Sequence, residues 1–135
     1  MNTEFERFLT DISDAFIEGN LQQWRARLIL PFSLITKLKP IVLSTESAVR
    51  KNFDQYLVAV NMMNLDLIDR TPIRLETCPD GTWLGTFRTR MLSGASLATA
   101  PYISTALLHD ADGHFRMSSM LNARGHQDWT GVEEA

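Results

Sequence analysis

Two kinds of hydrophobic spacing occupy this chain, and they occur in separate blocks. Through residue 63 the apolar residues recur mainly at helical intervals, and from residue 73 they alternate as strands do. The segment TEFERFLTDISDAFIEGN places Phe5, Phe8, Leu9, Ile12 and Phe16 along one stripe of a helix. Thr3 is its expected cap, and Gly19 and Asn20 its expected stop. A short second helix is expected over LQQWRARL, with Trp24 and Leu28 on one side. A third, STESAVRKNFDQYLVAVNMM, is capped by Ser44 or Thr45 and striped by Val49, Phe53, Tyr56, Leu57 and Val60. Between the second and third helices, ILPFSLIT and LKPIVLS read as a strand pair, with Pro31 implying an edge or a bulge.

The second block reads as four strands: PIRLETC, TWLGTFRTRML, PYISTALLHD and HFRMSSMLNA. The sequences PDG (79–81) and DADG (110–113) are turn signals, and SGASLATA (93–100) is a longer loop. Helices first and strands gathered later imply an α+β fold. One curved antiparallel sheet would wrap around three helices of the N-terminal half. The 135 residues suit a single domain. It divides into helices (1–28), a strand pair (29–43), a helix (44–63), a four-stranded meander (73–123) and a polar tail (124–135) in which Trp129 is a docking candidate.

Charge and cysteine content exclude several functional classes. The net charge of −3 comes with no basic block, so nucleic acid is not an expected partner. Cys78 is the only cysteine, which suits a reducing compartment. MNTEFERFL carries acids where a secretion signal would be basic, and no apolar run approaches a membrane span. The expectation is a cytoplasmic protein without a membrane partner. No GxGxxG or phosphate-loop motif is present. The histidines (His109, His114 and His126) lack HxH or HExxH spacing, and Cys78 stands apart from them. Neither a cofactor nor a metal is expected.

A few side chains remain as candidates for chemistry. His109 ends a strand and precedes Asp110 and Asp112, an arrangement that could orient a general base, although the same residues are ordinary turn formers. Arg88 and Arg90 share one strand face and could clamp an anion, with Arg74 joining from a neighbouring strand; a solvated outer face is the plainer alternative. Ser119 shares a strand face with Phe115, Met117 and Leu121 and is therefore expected to face inward, offering one hydrogen bond or acting as a small filler. Trp24, Phe32 and Tyr56 could line a pocket, and are in any case core candidates.

The element order, with EGNLQQW closing the first helix, ILPFSLIT preceding the capped STESAV helix, and the hairpin LHDADGHFRM, resembles the NTF2-like superfamily and within it the SnoaL-like group. The resemblance covers almost the whole chain and implies a cone-shaped barrel, an apolar pocket and a homodimer formed through the outer sheet face. The isomerase mechanism of that superfamily uses a tyrosine on the first helix, a carboxylate near the end of the first strand pair, and an acid before the closing turn. Ile12, the stretch Ile35 to Lys37, and Thr105 stand at those places, and Tyr102 falls too early in its strand. The resemblance thus implies a protein that binds a small apolar ligand, with Trp24, Phe32, Tyr56, Arg88 and Ser119 as contacts. One alternative is a cofactor-independent cyclase, dehydratase or isomerase using His109, Tyr56 or Arg88. A second is a protein-interaction module.

Overall fold

The computed structural model describes residues 2–124. Trp129 and His126 lie outside the described residues. Helix α1 (Thr3–Glu18) is capped by Asn2, one residue earlier than expected, whose side chain accepts the Phe5 N–H at 3.0 Å. Asn2 takes the role from Thr3 because Thr3 is already helical. Gly19 ends the helix in the left-handed region (φ 67°), where a glycine meets no Cβ penalty. Asn20 then caps α2 (Leu21–Arg25), and Thr45 caps α3 (Glu46–Met62).

The strands are β1 (Leu28–Thr36), β2 (Pro40–Leu43), β3 (Leu67–Thr77), β4 (Trp83–Ser93), β5 (Ser96–Leu97), β6 (Tyr102–Ala111) and β7 (His114–Ala123). They form one sheet ordered β2-β1-β7-β6-β4-β3, with β5 paired to β4 inside the segment expected as a loop. The α+β class holds. The sheet is mixed, however, because β1 pairs with β7 in parallel while the other pairings are antiparallel. The physical reason is connectivity. Helix α3 carries the chain from β2 to the far edge at β3, so β1 keeps a free edge until the last strand arrives beside it. The path ends at β2 and β3, and the sheet is curved but not closed.

Bulges interrupt the alternation where strands change direction. The β1–β7 register breaks between Leu28 and Ser33, the stretch that contains Pro31, in line with the expected bulge. A second break between Met117 and Ser119 shifts the parity of β7. Phe115 and Met117 face inward before it, and Met120 faces inward after it. Ser119 therefore stands opposite Leu107 on the outer side, and Leu121 is 55% exposed. The inward orientation expected for Ser119 is overturned by this one extra residue.

The core lies between the concave sheet face, α1 and α3. Each of the five apolar residues expected on the α1 stripe is buried. Full burial of a large apolar side chain contributes about 1.5–3 kcal/mol. At one end the Phe5 ring packs against Gly85, where a Cβ would come within 2.7 Å of it. Nearby, Arg27 fastens α1 to the sheet. Its Nη1 donates to Glu4 Oε2 at 2.6 Å and to the Phe115 carbonyl at 3.0 Å, and its Nη2 donates to Asp11 at 2.7 Å. Glu4 Oε2 also accepts the Phe115 N–H at 2.8 Å.

Candidate functional site

At the opposite end of the concave face, where β6 begins, apolar packing gives way to a polar row. In β3 the alternation sends Ile68 inward, Asp69 outward to pair with Arg90, and Arg70 inward. Arg70 stands opposite Thr89 of β4, and Thr89 stands opposite Tyr102 of β6. Arg124 completes the row, its guanidinium carbon 5.0 Å from the centre of the Tyr102 ring. The helices contribute from above. Arg70 Nη1 donates to the Ile12 carbonyl and to Ser13 Oγ, both at 3.1 Å, and Ser13 Oγ donates to the Leu9 carbonyl at 2.6 Å. From α3, the Tyr56 hydroxyl donates to the Arg124 carbonyl at 2.6 Å.

This row is under-satisfied. Arg70 as a residue keeps some surface, yet its guanidinium lies deep, and its Nε has no hydrogen-bond partner. The Thr89 hydroxyl, wholly buried, also lacks a well-formed hydrogen bond, as does Asn52 Oδ1 one turn before Tyr56 on α3. Among the described residues no carboxylate forms an ion pair with Arg70. Burial lowers the proton affinity of Arg70 below its ordinary value. Burial raises that of the Tyr102 phenol, an effect opposed by the charge of Arg70 and by the Thr89 hydroxyl beside it. Tyr102 is therefore a neutral neighbour and supplies no counter-charge. Leaving a buried cation without a partner costs several kcal/mol in general, so such a group invites an anion.

The residues singled out from the sequence fall in three places. Trp24, Phe32 and Tyr56 are all buried within one aromatic cluster. Phe16 sits 4.8 Å from both Trp24 and Phe53 and 5.5 Å from Tyr56, and Trp24 lies 6.1 Å from Phe32, measured between ring centres. Arg88 stands exposed on the outer face, opposite Thr71 and Ile103. His109 also leaves the interior, because its neighbour Leu108 takes the inward position. Its Nε2 lies 2.7 Å from Ser118 Oγ, and Asp110 is engaged by the Gly113 N–H at 2.8 Å in the turn. The acid expected to orient a base is thus occupied in turn chemistry. Sequence patterning does not single out Arg70 or Thr89. The segment 64–71 carries no clean apolar alternation, since a charged residue occupies an inward position at 70. The signal that finds it is length: β4 spans 11 residues, and its neighbour must extend back to Leu67 to pair with it.

A second concavity lies outside the cone, between α2 and the start of α3. Its volume is about 450 Å³, and Arg25, Glu46, Arg50 and Arg116 are among its lining residues. Glu46 is already held by Arg25 Nε at 2.8 and 2.9 Å to its two oxygens. Among the described residues, no three His, Cys, Asp or Glu side chains gather as a metal site, and no helix is long and apolar enough to cross a membrane.

Similarity to known proteins is visible in three dimensions only. No family model matches the sequence, and no curated protein matches it. Among solved structures, an NTF-2-like protein of unknown function from Shewanella oneidensis superposes with a TM-score of 0.63 at 13% identity, over 87% of this chain and 94% of the other. Aln2 from a Streptomyces species gives 0.67 at 12% identity, over 87% and 86% of the two chains. A domain of unknown function with a cystatin-like fold from Nostoc punctiforme gives 0.65 at 14%, over 92% and 79%. The chain has the NTF2-like fold.

Proposed function

We propose that this protein binds a small molecule in the concave interior, at the end where Arg70, Thr89 and Tyr102 meet. The carrying observation is the buried Arg70 Nε without a partner, beside a wholly buried Thr89 hydroxyl that lacks a well-formed bond of its own. Ile68, Met91 and Phe16 are buried apolar residues of the same interior, which suits a guest with an apolar body. Trp24, Phe32 and Tyr56 then act as the aromatic floor. The polar anchor is Arg70 in place of Arg88, which faces outward.

The row favours binding over proton transfer. It offers guanidinium, hydroxyl and phenol donors, and no carboxylate or imidazole of the described residues is hydrogen-bonded to it. A catalyst of the cyclase, dehydratase or isomerase kind needs a base as well as donors. We place the protein in the SnoaL-like group, as a cytoplasmic homodimer formed through the outer sheet face. Leu84, Ile103 and Leu121 are exposed there, which supports that contact; the same surface would serve an interaction module.

Native mass spectrometry of the purified protein tests the reading. The expected result is a dimer carrying a small molecule that is released on denaturation. A chain without added mass, and without a thermal shift in the presence of small aromatic compounds, charged or neutral, overturns it.

A further inference from the structure

Resting on the binding reading above, we infer that the group received by Arg70 is a carboxylate: the ligand is a small monoanionic acid with an apolar body. Three features of the row carry this. The first is orientation. Arg70 Nη1 is fixed to α1 through the Ile12 carbonyl and Ser13 Oγ. With Nη1 committed, the planar guanidinium presents the edge that bears Nε, and Nε is the atom without a partner. The two N–H groups of such an edge have the spacing of the two carboxylate oxygens, and the Tyr102 hydroxyl, which interacts with the same guanidinium, would share the bound group.

The second is charge balance. Arg70 and Arg124 flank Tyr102, and among the described residues neither forms an ion pair with an acid. Elsewhere the described arginines Arg25, Arg27, Arg74 and Arg90 do meet a carboxylate. Among the described residues Arg50, Arg88 and Arg116 also lack an ion pair but are exposed to water, so Arg70 differs in lacking a counter-charge where its guanidinium is buried. The third is the donor count. One guanidinium edge at Arg70, with the Thr89 and Tyr102 hydroxyls beside it, matches the two oxygens of one carboxylate. A phosphate dianion would call for a second cation aimed at it, whereas the Arg124 guanidinium lies over the Tyr102 ring, and a neutral carbonyl would leave Arg70 uncompensated.

The probes are phenylacetate and its neutral isostere phenylacetamide, used with the full chain. Binding is read by thermal shift and by the ¹H–¹⁵N resonance of the Arg70 Nε–H. Phenylacetate is expected to raise Tm and move that resonance, and phenylacetamide to bind about tenfold more weakly or worse, the usual worth of a hydrogen-bonded charge. Arg70→Met should remove the preference. Should that variant not fold, the resonance in the unaltered protein still decides the matter. Equal binding of acid and amide would overturn the carboxylate while leaving a small-molecule site in place. Absence of binding by either probe would overturn both. Phenylacetate binding that leaves the Arg70 resonance unmoved would overturn the assignment to this residue.

Discussion

Arg70 and Glu4 show how differently a charged side chain can be treated inside one small core. Glu4 is nearly enclosed, which by itself raises its proton affinity; the Phe115 N–H and the Arg27 guanidinium outweigh that and hold it below the ordinary carboxylate value of 4.5. The unfolded chain therefore takes up this proton first as pH falls. Glu4's contribution to stability is complete above the unfolded value and is lost as pH falls through the folded one. The urea midpoint should drop between about pH 5 and pH 3, and Glu4→Gln should lower stability at pH 7 while flattening that slope. Arg70 has no such arrangement, and this contrast is not legible in the sequence. A lone arginine between Ile68 and Pro72 looks like loop polarity until strand pairing puts it opposite Thr89. Tyr102 draws notice only as a residue too early for the closing acid, because its partners come from β3 and β4, far along the chain.

At the scale of elements, much more can be read. The stripes of α1 and α3, the cap at Thr45, the stop at Gly19 and the hairpin turn before His114 follow from local chemistry, and the structure agrees with them. What fails is parity. A bulge adds a residue without leaving a mark in the hydrophobic pattern, so simple alternation puts Ser119 on the wrong face of β7. Strand β4 holds the reverse case, a position where one missing atom matters. Gly85 has ordinary strand backbone, and its significance is space: a Cβ there would lie 2.7 Å from Phe5 Cε1 and 2.9 Å from Leu108 Cδ1. Gly85→Ala should destabilise by about 1–3 kcal/mol through overpacking, measurable by chemical denaturation. Phe5→Leu in the same chain should recover part of that loss, because the ring is what the methyl meets. His109→Gln, by contrast, should leave phenylacetate binding unchanged in a thermal-shift titration, since His109 bonds Ser118 on the other side of the sheet.

For the whole molecule, the outer sheet face is the feature to explain. Leu121 stands opposite Thr105 and Ile35, with Ile103 on the same strand as Thr105 and Leu84 on the strand beyond, so exposed apolar residues occur on four adjacent strands. Sedimentation should give a dimer at micromolar concentration, and Leu121→Glu should give a folded monomer with an unchanged far-ultraviolet spectrum. Element order is enough to suggest the α+β cone. The parallel placement of β1 beside β7 is not readable, since it depends on where α3 delivers the chain.

That parallel pairing also sets an order of events at the ribosome. Among the described strands, the one that joins β1 and β2 to the rest of the sheet comes latest in the chain. Until residues 114–123 emerge, α1 has only part of its bed and the first strand pair has no neighbour to join. Until then the apolar stripe of α1 and the strand pair are only partly covered. The first strand pair is therefore joined to the rest of the sheet only through a contact between distant parts of the chain, the kind of pairing that forms late because its loop-closure entropy must be overcome first.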